Sequence, residues 1–245
     1  MRGMARLLLA LLLAVLVGGC ALSTVTASPP AQQPAPARSQ PSRTPSRVGA
    51  PVVDAAAVRA DLATLAVKGR APMTGYDRDA FGQAWSDDTE DQWGHNGCDT
   101  RNDILRRDLR DVALDPRTHG CVVLTGTLAD PYGGTLIHFV RGVATSIAVQ
   151  VDHVVALGDA WQKGARQWTA QRRQAFANDP RELLAVSGPL NASKGDGDAA
   201  TWLPPAKAYR CAYVARQVAV KKAYGLWVTA AERDAIARVL ASCAR

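Results

Sequence analysis

The sequence has no second long apolar run after residues 7–17, no internal repeat and no CxxC pair. A membrane-spanning helix needs about 20 consecutive apolar residues, so nothing past that first run is a candidate span. The lack of a repeat removes solenoids and propellers from consideration, and the lack of CxxC removes the usual zinc knuckle. A strong charge of one sign is also missing from most of the chain. Formal charge is +7, but five of the 29 basic residues (Arg2, Arg6, Arg38, Arg43 and Arg47) precede residue 51. The remainder sets 24 basic residues against 22 acidic ones. Any binding of a polyanion must therefore come from a local patch rather than from the overall field. The length of 245 residues suits one good-sized domain or two small ones.

What is present begins with a targeting signal. Met1–Arg6 is short and basic, and Leu7–Val17 is an uninterrupted apolar core of signal-peptide length. Val17-Gly18-Gly19-Cys20 looks like a bacterial lipobox, in which Cys20 takes the lipid and becomes the mature N-terminus. The alternative is an ordinary secretory signal cut near Ala21 or Ala27. Either reading places the mature protein outside the cytoplasm, secreted or held to the membrane by a lipid anchor. Residues 21–51 are Pro, Ser, Thr, Gln, Ala and Arg without apolar periodicity, too polar to offset their ordering entropy, and read as a tether. The folded domain is expected over residues 52–245.

Within it, Asp54 can cap a helix running to about Val67. Residues 70–97 are irregular and acidic, interleaved with Tyr76, Phe81, Trp85 and Trp93; without calcium-loop spacing they read as a solvated loop pinned by aromatics. Asp99 or Thr100 caps a helix to about Leu109 that carries Arg101, Arg106 and Arg107. Strands are expected at 120–128, 135–140 and 145–151, short helices at 157–164 and 168–177, and a short buried strand at 182–186. A helical turn begins at Asn191. The C-terminal third is helical, from Pro204-Pro205 to about Tyr224 and again after Thr229, where Thr229-Ala230-Ala231-Glu232 matches a capping box. Lys207, Arg210, Arg216, Lys221 and Lys222, with Tyr209 and Tyr213, make the first of these helices a candidate groove for a nucleic-acid backbone, or else an ordinary amphipathic helix.

Setting Cys20 aside leaves Cys98, Cys121, Cys211 and Cys243, an even number in an oxidising compartment. Of the three connectivities, 98–121 with 211–243 is the most local. The competing reading is a structural zinc held by His95/Cys98 and His119/Cys121, which the compartment disfavours.

The chemistry gathers around Val151-Asp152-His153-Val154-Val155 and Asn191-Ala192-Ser193-Lys194-Gly195-Asp196. An aspartate and an asparagine offer hard oxygen ligands for one divalent cation, and a histidine offers a general base near neutral pH. That is equipment for cutting a phosphodiester. With Asn178-Asp179-Pro180, Leu183–Val186 and Trp202-Leu203-Pro204, these segments resemble an HNH endonuclease domain, specifically the secreted bacterial HNH family related to the nuclease domain of modification-dependent restriction enzymes. The motif region is 145–205, and Cys98–Asn102 and Ala208–Tyr213 extend the likeness over most of 70–240.

The resemblance implies an α+β fold, a ββα-metal (HNH) finger embedded in a mostly helical domain with a small antiparallel sheet. It implies one Mg²⁺ or Mn²⁺ on Asp152 and Asn191, His153 as the base that activates water, and Lys194 on a phosphate; Arg210 is a further candidate phosphate contact, as is Arg101, whose other reading is a solvated helix face. It implies DNA as the partner, with cleavage of RNA left open, 5′-phosphate products, and no protein partner. The family's middle asparagine, which braces the loop carrying the base, falls here on Glu182; a carboxylate accepts hydrogen bonds but cannot donate them, and Asn178 is the candidate substitute. The rival expectation is a catalytically weak DNA-binding or envelope lipoprotein that keeps the fold.

Overall fold

The segment Leu183–Ser187 is buried at every position and forms a strand whose alternate residues enter two of the three core clusters. The computed structural model describes residues 52–243. The signal sequence, Cys20 and the 21–51 tether lie outside the described residues. The fold is α+β: seven α-helices, a three-stranded antiparallel sheet and a separate antiparallel pair among the described residues.

The first helix, α1 (Ala55–Thr64), starts where Asp54 accepts hydrogen bonds from the amides of Ala56 and Ala57. In the acidic loop that follows, the carboxylates act as turn caps. Asp87 accepts from Asn96 N and Gly97 N, and Asp91 accepts from Trp93 N and the Thr89 hydroxyl. Asp99 caps α2 (Thr100–Asp108) through Asn102 N at 2.8 Å. The sheet then runs β1 (Leu109–Leu114), β2 (Val123–Ala129) and β3 (Leu136–Val140), in spatial order β1-β2-β3. Strand β1 escapes the sequence reading. Its Arg110-Asp111 interrupts the apolar alternation, and Asp111 sits at φ +52° where the register with β2 shifts.

The second ribbon pairs β4 (Val149–His153) with β5 (Leu183–Ser187), Val151 opposite Ala185 and Asp152 opposite Leu184. A 3₁₀ turn at Ser146–Ala148 replaces the first residues of the expected 145–151 strand, so Asp152 and His153 are part of β4 rather than its exit. Between the paired strands lie α3 (Leu157–Gln162) and α4 (Ala170–Asn178). Helix α5 (Gly188–Lys194) follows β5 directly, starting three residues earlier than Asn191, with Pro189 in its first turn, where a missing N–H costs nothing. The order strand, insertion, strand, helix is therefore ββα. Helices α6 (Arg210–Tyr224) and α7 (Ala230–Ala241) close the chain; Gly225 ends α6 in the left-handed conformation at φ +65°.

Alternation along the ribbon explains its burial. Val149, Val151, Leu183 and Ala185 face α2 and the three-stranded sheet, packing on Ile104, Leu105 and Phe139. Leu184 and Val186 face the other way, against Tyr132, Val214 and Val218 beneath α1, α6 and α7. Val155 joins a third cluster with Phe81, Trp161 and Phe176.

The capping box before α7 is only half made. Thr229 accepts from Glu232 N at 3.1 Å, but the Glu232 carboxylate turns inward to Lys163 (2.6 Å) and Lys221 (2.6 Å). Those lysines also hold Asp159, at 2.5 and 2.9 Å, and Lys163 holds Asp198 at 2.8 Å. Arg70 adds contacts to Asp159 and Asp198 from the surface. Three cations thus balance three carboxylates in a cluster joining α3, α6, α7 and the loop after α5.

Two disulfides bridge Cys98–Cys121 and Cys211–Cys243, with Cα separations of 5.1 and 5.9 Å. The sulfurs of Cys98 and Cys121 are bonded to each other, and exposed His95 faces Asp88 and Glu90 instead. Each bridge closes a loop of moderate length (sequence separations 23 and 32), so reduction should cost about 2–4 kcal/mol per bridge. Thermal melts of Cys211→Ala/Cys243→Ala against the oxidised parent check this; equal midpoints would refute it.

Candidate active site

The ribbon's alternation divides the two neighbouring residues. Gln150 and Asp152 project from one face of β4; Val149, Val151 and His153 project from the other. On its face, Asp152 is 4 % exposed and both its oxygens are engaged. Oδ2 accepts from the Tyr132 hydroxyl at 2.5 Å, and Oδ1 accepts from Lys194 Nζ at 2.9 Å. Lys194, fixed on the last turn of α5, also donates to the His153 carbonyl at 2.7 Å. Tyr132 is boxed edge-on by Trp202 and Tyr213. Burial pushes the Asp152 carboxyl above its ordinary range, and the Lys194 ammonium and Tyr132 hydroxyl work against that rise. Burial and the Asp152 charge raise Tyr132 well above the usual phenol. Lys194, expected to be open to a phosphate, is itself a buried partner of Asp152.

On the other face, His153 Nε2 lies 2.9 Å from the Ala177 carbonyl. A carbonyl only accepts, so Nε2 carries the proton and Nδ1 keeps the lone pair. Trp85 stacks on the ring at 5.8 Å between centroids, with 16° between planes. Burial, aided by the Arg78 charge, pushes the imidazole pKa down to about 3, so the ring is neutral at physiological pH. A cavity of about 120 Å³ opens beside it, lined by Arg78, Phe81, Trp85, Ala177 and Asn178.

Trp85 holds a left-handed backbone, φ +60°, which is costly for a bulky side chain, on the order of 1–3 kcal/mol. The start of α2 holds it there: Thr100 N donates to the Trp85 carbonyl, and the Thr100 hydroxyl donates to Ser86 O. In the sequence Trp85 is one of several aromatic anchors of the acidic loop. Its place over His153 depends on contacts that only the folded chain makes.

Glu182 sits fully buried under the turn after His153. Its carbonyl accepts from Val154 N at 3.0 Å, and its carboxyl accepts from Val155 N at 2.9 and 3.2 Å. Burial drives its pKa well above the usual carboxylate value, with the Asp152 charge adding to the rise. Glu182 thus accepts from both amides of the turn, Val154 through its carbonyl and Val155 through its carboxyl, a role that asks its side chain for an acceptor and no donor. Glu182→Gln should hold the fold to within about 1 kcal/mol, whereas Glu182→Ala leaves a buried N–H unpaired and should cost about 1–3 kcal/mol. Chemical denaturation of both variants tests the pair; equal losses would show that the side chain braces nothing. Asn178 does not reach this turn. Its amide donates to Gln174 O at 2.9 Å, and its Oδ1, beside the His153 cavity, has no partner among the described residues.

Asn191 lies over the Asp152 face, but its amide donates to Gln150 at 2.8 Å. Gln150, a polar residue two before Asp152 in a strand, shares the Asp152 face by strand alternation, the one signal in the sequence for this neighbour. Arg101 is half-buried above the Phe139 ring beside Arg141, and burial followed by the Arg141 charge lowers its pKa. Arg210 donates to Pro204 O. Neither arginine forms a hydrogen bond or ion pair with Asp152, His153 or Asn191.

Asp152 and Asn191 fit a hard cation by donor type. The ammonium 2.9 Å from Asp152 Oδ1 shows that positive charge is accommodated there. A metal ion on that oxygen and Lys194 in its observed place exclude each other.

Residues 99–239 match the family model described as "GmrSD restriction endonucleases, C-terminal domain". A protein of the fungus Arthroderma benhamiae (strain ATCC MYA-4681 / CBS 112371), named "Uncharacterized secreted protein", is 36% identical over 204 residues, which is 82% of this chain and 92% of that protein. Relatives of the chain are therefore not confined to bacteria. No solved structure matches.

Proposed function

The chain belongs to the GmrSD restriction endonuclease C-terminal domain family, and from that premise we propose that it is an extracytoplasmic nuclease hydrolysing phosphodiester bonds of DNA with little sequence preference. The observation that carries the reading is His153: a neutral imidazole with Nε2 anchored to Ala177 O and Nδ1 free to take a proton from water, at the end of the first strand of a ββα unit. Trp85 holds the plane of the ring, and the Glu182 carboxyl holds the turn behind it. Asp152 and Asn191 would hold one Mg²⁺ or Mn²⁺, which when bound supplies Lewis-acid stabilisation of charge on the scissile phosphate. Lys194, displaced from Asp152, would then be free to meet phosphate. The basic and apolar N-terminal segment agrees with a secreted protein, as the fungal relative is named, and Cys20 gives the lipid-anchored form of that reading.

One observation favours a second reading, a DNA-binding or envelope protein that keeps the fold with weak catalysis: both oxygens of Asp152 are already satisfied inside the protein. Conversion of supercoiled plasmid to nicked circle separates the two. The nuclease reading expects nicking with Mg²⁺ or Mn²⁺ and its loss on chelation. Duplex binding without cleavage under any divalent ion would sink it in favour of the second.

A further inference from the structure

The basic positions of α6 do not form the surface their spacing suggests. Arg216 is spent on the carbonyls of Pro180, Arg181 and Leu183, Lys221 is buried between Asp159 and Glu232, and Lys222 pairs with Asp61. Tyr213 is fully buried. Lys207 and Arg210 remain, and the fold sets them opposite Arg238, which comes from α7. These three line an open groove of about 400 Å³ with an apolar floor that includes Leu203, Ala235 and Val239.

No carboxylate lines this groove, and Lys207 and Arg238 have no hydrogen-bond or ion-pair partner among the described residues. Arg210 uses Nε on Pro204 O, which fixes its guanidinium and leaves the terminal nitrogens available. The walls are also fastened. The Cys211–Cys243 disulfide ties the start of α6 to the end of α7, and Ala206 N donates to Tyr132 O. Leu203 follows Trp202, whose ring packs on Tyr132, and Tyr132 bonds Asp152. The groove therefore adjoins the aromatic box behind Asp152.

We infer that this groove is a phosphate-backbone site for the nucleic-acid strand beyond the cleaved step, with Lys207, Arg210 and Arg238 on successive phosphates and the apolar floor under the sugars. The inference rests on the nuclease reading for its choice of polyanion. Three cations without a carboxylate partner on an open surface suit a chain of phosphates better than a single anion, which would be wrapped from several sides.

The test is duplex binding by the full chain, followed by fluorescence anisotropy of a 30-base-pair probe with chelator present and salt varied. The variant Lys207→Gln/Arg210→Gln/Arg238→Gln should weaken binding at least tenfold. It should also flatten the plot of log affinity against log salt by about 2–3, close to one unit per lost phosphate contact. Arg238→Glu alone, at an exposed position of α7, should reduce the slope by about 1 and serves if the triple variant folds poorly. An unchanged slope overturns the inference. So does a variant that binds duplex normally yet loses binding to phosphatidylglycerol vesicles, which would make the groove a membrane contact. Plasmid nicking by the same preparations is scored separately. Nicking with an unchanged slope defeats the groove alone; a lowered slope without nicking under any metal defeats the nuclease reading alone.

Discussion

Lys163→Met should lower unfolding stability by about 3–5 kcal/mol, although the new side chain is apolar and similar in length. Lys163 is fully buried and touches Asp159, Asp198 and Glu232 at 2.5–2.8 Å. Removing it leaves three carboxylates with Lys221 and the half-exposed Arg70 as their cations. The loss is the cost of uncompensated buried charge rather than of a missing contact. pH dependence follows from the same groups. Burial works against the Asp159 carboxylate, but Lys221 and Lys163 outweigh it and hold its pKa below the ordinary value. Asp198 is likewise opposed by burial and lowered by Lys163 and Arg70. Lys221 is opposed by burial and raised by Asp159 and Glu232. Depressed carboxylates contribute stability above their unfolded value near 3.9 and lose it as pH falls through the lower folded value; a raised lysine contributes below about 10.4 and loses it as pH rises. The cluster should thus give a plateau from about pH 4 to pH 10, with stability falling on either side. Urea unfolding at pH 7 and below pH 4 measures both effects. A Lys163→Met loss under 1 kcal/mol, or an acid limb as steep in the variant as in the parent, would show that the cluster is not the brace it looks like. The consequence reaches the site, because Asp198 also accepts from Ala200 N and so shapes the loop that carries Trp202 onto Tyr132.

How much of this was legible beforehand depended on how local each cause is. Asp54, Asp99 and Thr229 announce helix starts because an N-cap bonds only its own next few amides. The ββα order was legible for a similar reason, since the short apolar run Leu183–Val186, bounded by polar and turn residues, favours a buried strand by its length and flanks. Lys163 and Lys221 were not, since nothing in the sequence says which distant carboxylates will meet them. One trace existed: Val214, Gln217, Val218 and Lys221 fall at helical spacing on one buried face of α6, which makes Lys221 an inside residue and Lys222 an outside one. The opposite facing of Asp152 and His153 was available from strand alternation alone, once the strand is extended through both residues. Trp85 was beyond reach, because its left-handed backbone is imposed by the start of α2, fifteen residues further along the chain.

His153→Ala should cut the plasmid-nicking rate by about 10²–10⁴ while leaving the site around it standing. The two effects separate because of what holds what. Lys194 is tied to Asp152 and to the carbonyl of His153, not to its ring, so the ββα junction keeps its anchors when the imidazole is removed. No buried charge is exposed either, because the ring is neutral, pushed down to about pKa 3 by burial and the Arg78 charge. What disappears is the lone pair on Nδ1, the stack with Trp85 and the bond to Ala177 O. A free-protein pKa that low leaves the imidazole neutral but a weak proton acceptor, so the proposed base role requires the bound substrate to raise it. A phosphate entering beside the ring would bring negative charge, which favours the protonated form and would raise the pKa. In single-turnover nicking the loss should therefore fall on the cleavage step, with duplex affinity changed no more than a few fold. A variant that nicks at the parental rate would remove His153 from the chemistry; one that loses duplex binding as completely as nicking would make it a structural residue.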